Sequence, residues 1–430
     1  MKISVIGTGY VGLITGTCFA ELGNNVILVD IVRDKVEKIN RGIAPIYEEG
    51  LDHLLKKNLK SGRIHATTDL EGAIKSTEIT FVSVGTPSKK DGSIDLAFME
   101  NAARDIGKAL RDKRSYHTVV VKSTVVPGTT ENVFGKILEK ASGKKAGRDF
   151  GLAMNPEFLR EGKAIEDFMK PERIVIGGVD KKSADAVYGL YMDFSSPVMR
   201  TNPKTAEMIK YASNAFLATK VSFINEIGNM CKELGIDTYV VADGMGYDSR
   251  IGRKFLGAGI GYGGSCFPKD VKAIMAKAKE SGVEQKVLQA ADRANMEQPL
   301  RMIKILKKSM PVLRGKTIAV LGLAFKPDTD DIREAPSIVV VERLLKEKAL
   351  VKAYDPKAAE NFRNLFRDVE YCTTAAGALE NADACLVLTE WEEFRNLEDA
   401  DFRRMKRKNI IEGRRILDRR KVCGFEGVCW

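Results

Sequence analysis

The run KISVIG, apolar and alternating, breaks into Gly7-Thr8-Gly9-Tyr10-Val11-Gly12. It continues as the helical stretch LITGTCFAELG and re-enters an apolar run, NNVILV, that closes on Asp30. Strand, G-x-G-x-x-G, helix, strand and acid in that order predict a parallel βαβ unit. The glycines permit a tight turn and let the backbone approach a pyrophosphate at a helix N-terminus. Asp30 follows Gly12 by 18 residues, where a carboxylate binds both hydroxyls of a ribose and repels a 2′-phosphate. The pattern predicts an α/β chain that opens with a Rossmann domain and binds NAD in preference to NADP, through Gly7, Gly9, Gly12 and Asp30.

Further junctions of the same kind follow. EITFVSVGTP and HTVVVKSTVVPG are β-branched runs broken by small polar residues and proline, and RDFGLAMNPEFLREG leads a strand into Asn155-Pro156-Glu157. Loops at the carboxyl ends of parallel strands line the ligand crevice, so Thr86, Pro87, Ser123 and Thr124 are candidate cofactor contacts. At 430 residues the chain exceeds what one hydrophobic core organises, and two or three domains are expected. The spacing of the motifs divides it into an NAD-binding domain over 1–200, a central helical domain over 201–300 and a second α/β domain over 301–430.

The central part begins with a helix predicted from Pro203 to about Leu234, with proline at its start, Gly235 at its end and no interruption. Lys210 and Asn214 are four residues apart and share one face of it. Then comes GYGGSCFPKD. Ser265 is the expected N-cap of a new helix, which sets Cys266 at the positive end, where a thiol ionises more readily. The glycines open room for a substrate near the sulfur, and Asp270, one turn on, shares its face. A buried structural cysteine would need none of this. A dinucleotide site with an activated cysteine points to an alcohol oxidised twice. The thiolate adds to the intermediate aldehyde, the thiohemiacetal gives up a second hydride, and water releases a carboxylate.

From KTIAVLGLAFKPDTD onward, strand, loop, helix and acid-tipped strand recur without a second G-x-G-x-x-G. A second α/β layer binding a different phosphate group is expected, with Lys326 and Arg414 or Arg415 as diphosphate contacts. The formal charge of +11 concentrates in 403–421, which suits either a solvated surface or a phosphate-bearing substrate. No aromatic interleaving or nucleic-acid motif accompanies it, and a nucleic-acid partner is not expected. No apolar run approaches the ~20 residues that span a bilayer. The first residues enter a strand at once, and the seven scattered cysteines do not make a disulfide framework. A cytoplasmic protein with thiol cysteines, no membrane partner and no metal is the expectation.

GTGYVG, VGTP, KSTVVPGT, NPEFLREG, AEMIKYASNAF, GYGGSCFPKD and GLAFKPDTDDIREAPSI occur in this order and resemble the UDP-glucose 6-dehydrogenases of the UDP-glucose/GDP-mannose dehydrogenase family. The match runs from Met1 to about Leu417. The resemblance implies an N-terminal Rossmann NAD domain, a central long helix that forms a homodimer, and a C-terminal Rossmann-like UDP-sugar domain. It implies Cys266 as nucleophile, Lys210 and Asn214 as the oxyanion pair, Asp270 and Thr124 as partners of the hydrolytic water, and Glu157 as acid/base. Tyr10, Val11, Lys35, Glu161 and Arg333 join the cofactor contacts. Phe158, Leu159 and Arg160 would line the sugar. Arg250, from the same or a second subunit, and the loop with Phe255, Leu256, Gly257, Tyr262 and Gly263 would bind the substrate, with Phe325, Lys326 and Arg414 at the uridine diphosphate. The implied reaction is the NAD-dependent four-electron oxidation of UDP-glucose to UDP-glucuronate. Ser265 differs from the histidine usual in the N-acetyl-sugar branch, and Phe267 from the leucine usual in GDP-mannose enzymes, which remain the alternative substrates. A catalytically silent nucleotide-sugar binder would have lost Cys266, Lys210 or Asp270. EGRR at 412–415 departs from the family's aspartate, and the tail VCGFEGVCW matches no motif.

Overall fold

The structure is a computed structural model that describes residues 1–430. It divides into two compact units, Met1–Ser213 and Asn214–Trp430, and the division falls inside the helix Pro203–Leu234.

In the first unit eight strands form one sheet. They are β1 (Lys2–Ile6), β2 (Asn25–Val29), β3 (Ile64–Thr67), β4 (Ile79–Val82), β5 (Thr118–Val121), β6 (Gly151–Met154), β7 (Ile174–Gly178) and β8 (Val198–Thr201). Their order is β3-β2-β1-β4-β5-β6-β7-β8, and every pairing is parallel except β6 with β7. Helices cover both faces, so β4, β5 and β6 are buried at every residue, which is why they read as unbroken apolar runs. One face packs Phe19, Phe81, Phe168 and Tyr191, and the other Ile106, Leu110, Phe134 and Leu138.

In the second unit six strands, β9 (Thr317–Leu321), β10 (Leu350–Tyr354), β11 (Glu370–Tyr371), β12 (Ala384–Val387), β13 (Ile410–Glu412) and β14 (Phe425–Gly427), form an all-parallel sheet. Its order is β11-β10-β9-β12-β13-β14. The tail without a motif supplies the edge strand β14, and Cys429 then buries itself against Gly228. All seven cysteines are thiols. No helix is long and apolar enough to cross a membrane.

Two buried carboxylates brace loops at these sheets. Glu207 accepts the backbone N–H groups of Gly128 at 2.5 Å and Thr130 at 2.8 Å. Glu412, whose role the sequence left open, accepts those of Ile416 and, at 2.8 Å, Leu417, folding the EGRR loop. Burial pushes both carboxyls up to about 7, against the hydrogen bonds that favour the charged form.

Below about pH 4.5 these groups are protonated folded or unfolded. As pH rises toward 7 the unfolded chain releases the protons first, so this contribution to stability is lost. Between about pH 5 and pH 7.5 the melting temperature of Glu207→Gln is expected to rise relative to the unmutated protein. A pH-independent difference contradicts the assignment.

Candidate active site

The dinucleotide turn is set by two glycines. Gly7 has φ +91°, and a Cβ there would lie 2.6 Å from the carbonyl oxygen of Ser83. A Cβ on Gly12 would lie 1.9 Å from the carbonyl oxygen of Gly7. At Gly9 a Cβ would meet no atom within 4 Å, which leaves the approach to the helix Tyr10–Glu21 open. That helix begins without a side-chain cap and without an acid in its first turn, as a phosphate site requires. Beside it Ser83 Oγ is buried with no hydrogen-bond partner.

Asp30, at the end of β2, accepts Thr8 N at 2.9 Å, Thr8 Oγ1 at 2.6 Å and Val32 N at 3.0 Å, with Lys35 Nζ at 4.0 Å. Burial opposes its ionisation, yet these hydrogen bonds and Lys35 hold the carboxyl below its ordinary range. Val11 is half-buried in the helix's first turn. The crevice, with a carboxylate where a 2′-phosphate would fall, fits NAD.

The next strand ends deliver Thr86, Pro87, Ser123 and Thr124. Thr86 Oγ1 donates to the carbonyl of Thr124 at 3.0 Å, and Ser123 Oγ to that of Val84 at 2.7 Å. After β6, Glu157 is buried and paired. Lys210 Nζ lies 2.9 Å from Oε1, and the Leu159 N–H donates to Oε2 at 2.6 Å. Burial would raise the Glu157 carboxyl, but Lys210, the Leu159 N–H and Lys122 together bring it below its ordinary value. Phe158 carries the Arg173 guanidinium 3.9 Å from its ring centre and the Lys210 ammonium at 5.4 Å. Arg160 is occupied by Asp167, at 2.6 and 3.0 Å. Beyond half-buried Glu161, the chain is tied to the dinucleotide turn. Glu48 accepts Tyr10 OH and the N–H groups of Gly162 at 2.7 Å and Ala164 at 2.6 Å.

The second unit gathers the cysteine motif. The helix Phe267–Glu280 starts with Cys266 itself in the N-cap position, and no side chain caps it. The expectation of a Ser265 cap is corrected by one residue. Ser265 Oγ instead lies 3.6 Å from the Cys266 sulfur, and the Cys266 carbonyl accepts the first helical bond from Asp270 N at 2.9 Å. Cys266 is half-buried. Asp270, only 1% exposed, accepts Asn214 Nδ2 on one oxygen and Lys269 Nζ on the other, each at 2.6 Å.

The loop before the cysteine packs on the carboxyl ends of β9, β12 and β13. Gly264 N donates to the carbonyl of Arg333 at 2.8 Å, and a Cβ on Gly264 would lie 2.7 Å from the Phe325 ring. A Cβ on Gly263 would meet the Glu334 carbonyl at 2.3 Å. Arg414 donates to the carbonyls of Leu388 at 3.1 Å and Gly261 at 3.0 Å. Lys326 stands 5.4 Å from the Phe325 ring centre, and Arg333 grips Asp331 through two nitrogens. Leu256 and Tyr262 are buried, whereas Gly257 and Phe255, at φ +65°, are exposed. Tyr262 is pinned by Asn295, which donates to its carbonyl at 3.0 Å and accepts its N–H at 2.8 Å. Arg250 points into solvent, bound to Asp248.

Sequence reasoning missed Lys122, Glu48, Arg173 and Asn295. Lys122 stood within a quoted motif, and its apolar strand was the available signal. The other three contact residues far along the chain.

A dinucleotide crevice that fits NAD and a second parallel sheet are the frame of an NAD-linked dehydrogenase, with Cys266 at the start of a helix and buried Asp270 one turn on. Family profiles agree. Residues 1–195 match the NAD-binding domain of the UDP-glucose/GDP-mannose dehydrogenase family, 204–297 its central domain and 319–419 its UDP-binding domain. The chain is 48% identical to the UDP-glucose 6-dehydrogenase of Haloferax volcanii, covering 100% of both. It is 47% identical to that of Bacillus subtilis, covering 99% of this chain and 92% of the relative. The solved UDP-glucose dehydrogenase of Pyrobaculum islandicum superposes with a TM-score of 0.94 at 41% identity, over 100% of this chain and 97% of that one. The chain belongs to the UDP-glucose/GDP-mannose dehydrogenase family.

Asp30→Asn removes the carboxylate expected at the ribose, and is expected to weaken NAD binding by on the order of ten-fold and to narrow the gap to NADP. Calorimetric titration with both nucleotides checks this, and an unchanged NAD affinity contradicts it.

Proposed function

We propose that the protein is a UDP-glucose 6-dehydrogenase, converting UDP-glucose and two NAD⁺ with water into UDP-glucuronate, two NADH and three protons. The observation that carries this reading is Cys266 at a helix start with buried Asp270 one turn on. Simple alcohol oxidation has no use for a nucleophile, and oxidation through to the acid needs one. UDP-glucose is preferred among nucleotide sugars because the full-length relatives at 48% and 47% identity bear that name.

Gly9 and the helix start cradle the pyrophosphate of NAD, and Asp30 and Lys35 take the ribose edge. Tyr10, Val11, Thr86, Pro87, Ser123, Thr124, Glu161 and Arg333 complete the cofactor's surroundings. When bound, NAD accepts the hydride in both oxidations. Phe325, Lys326 and Arg414 hold the uridine diphosphate, with Arg250 and the loop through Phe255, Leu256, Gly257, Tyr262 and Gly263 around it. Phe158, Leu159 and Arg160 flank the sugar.

The thiolate of Cys266 attacks the aldehyde carbon, forming a C–S bond and an oxyanion that Lys210 and Asn214 stabilise. Oxidation of this adduct leaves a thioester. Asp270 and Thr124 orient the water, and Glu157, ionised at neutral pH, receives its proton as the C–S bond breaks and the thiolate returns. A reduced thiol is required throughout, which suits the cytoplasm.

The central segment, 201–300, supports a homodimer. Phe216, Phe223 and Met230 recur every seven residues along the long helix and are 65%, 47% and 56% exposed, an apolar stripe suited to a partner helix. Light scattering is expected to give twice the chain mass, and Phe216→Asp with Phe223→Asp to give the monomer. A monomeric unmutated protein contradicts the dimer.

Cys266→Ser should retain nucleotide binding and lose turnover to the acid by roughly three orders of magnitude or more. Intact mass after acid quench should show a UDP-glucuronyl adduct on the unmutated enzyme alone. Full steady-state activity in Cys266→Ser contradicts the covalent route.

A further inference from the structure

Lys122, the residue that follows β5, is 4% exposed and takes no part in the steps set out above. Its Nζ donates to Asn155 Oδ1 at 2.9 Å, with Tyr191 OH at 3.5 Å. Tyr191 OH donates to the same Asn155 oxygen at 2.7 Å, and Asn155 Nδ2 donates to the carbonyl of Val175 at 2.8 Å. Both hydrogen-bond partners of this ammonium are neutral. Neutral partners alone do not offset the cost of burying a charge, and an uncharged donor would hold Asn155 equally well.

Glu157 follows Asn155 by two residues in the loop after β6, and its carboxylate pairs with Lys210 Nζ of the long helix at 2.9 Å, so these are the charged groups that act on Lys122. Tyr191 is the one other titratable neighbour, and burial drives its phenol far above the ordinary value, so it stays neutral. The buried cluster thus holds two cations and one carboxylate. Burial and Lys210 push the Lys122 ammonium down to about 7, while Glu157 opposes the fall.

We propose that Lys122 is a positioning residue of the dehydrogenase: the second cation that keeps Glu157 ionised when Lys210 turns from it to the substrate oxygen. This rests on the reading of Lys210 and Glu157 given above. Lys210 cannot give its full field to an oxyanion and to Glu157 at once. A carboxylate left alone in a dry site takes up a proton and could not then receive one from water. Lys122, fixed by Asn155 and Tyr191, supplies a charge that stays in place at pH below about 7, where the Glu157 carboxyl titrates.

A cation lowers the pKa of a nearby carboxyl, so its removal raises that pKa. Lys122→Gln keeps a donor for Asn155 and removes the charge, and Lys122→Arg keeps the charge. ¹³C NMR of carboxyl-labelled glutamate, with Glu157 assigned through Glu157→Gln, reads the group without turnover. In Lys122→Gln the Glu157 titration is expected to move up by about one pH unit, and in Lys122→Arg to stay near its original position.

With UDP-glucose, the acidic limb of kcat/KM should move by the same amount in Lys122→Gln, a roughly ten-fold loss below the limb, with NAD affinity unchanged. An unmoved Glu157 titration in folded Lys122→Gln overturns the proposal, as does a loss of activity equal at every pH. If Lys122→Gln does not fold, Lys122→Met takes its place, and failure of both neutral variants assigns Lys122 to the fold and equally overturns the proposal. An unmutated protein inactive on UDP-glucose contradicts the functional reading instead, and the NMR arm still decides the role of Lys122.

Discussion

Strands that run parallel must all finish at the same edge of their sheet, and the chain can return only through crossovers that pack on the two faces. That constraint gathers the strand-end loops of both units, while the helices Pro203–Leu234 and Phe267–Glu280 carry Lys210 and Asp270, with Cys266 at the start of the latter helix. In the first, the ends of β1, β2, β4, β5 and β6 bring Gly7, Asp30, Ser83, Lys122 and Asn155 to one edge. In the second, the ends of β9, β12 and β13 bring Gly322, Leu388 and Gly413 to another. Helix N-termini gather there too, and unsatisfied backbone N–H groups make such an edge receptive to phosphates. The interior bears the cost of this arrangement, since strands covered on both faces must be apolar throughout.

Carboxylates brought to these edges are buried, and each is matched by donors. Asp30 has Thr8 and Val32, Glu157 has Lys210 and the Leu159 N–H, and Asp270 has Asn214 and Lys269. Matched in this way, the Asp30 and Glu157 carboxyls stay below their ordinary range although burial opposes it. Glu207 and Glu412 show the contrasting case. Their partners are backbone N–H groups, burial dominates, and both act as braces.

Features set within a few residues were legible in the sequence. The glycine turn, Asp30 at the end of β2, and the helix Pro203–Leu234 all follow from short-range spacing, and the structure carries them as expected. The helix at Cys266 was legible to within one residue, since Ser265 makes no side-chain cap there. What joins distant positions was not legible. Glu48 reaches Gly162 across 114 residues, Asn295 fixes Tyr262 across 33, and no local pattern announces either. Lys122 was hidden for another reason, as a lysine after a β-branched run normally reads as solvated. The tail was opaque because an edge strand of three residues, Phe425–Gly427, is too short to show a period.

The central claim is that one active thiol carries an alcohol through two oxidations, and the stoichiometry of reduced cofactor tests it most directly. With limiting UDP-glucose, excess NAD and the reaction run to completion, the account predicts about two NADH per UDP-glucose, the ratio that a four-electron oxidation fixes. One NADH per substrate, with an aldehyde released, would contradict it.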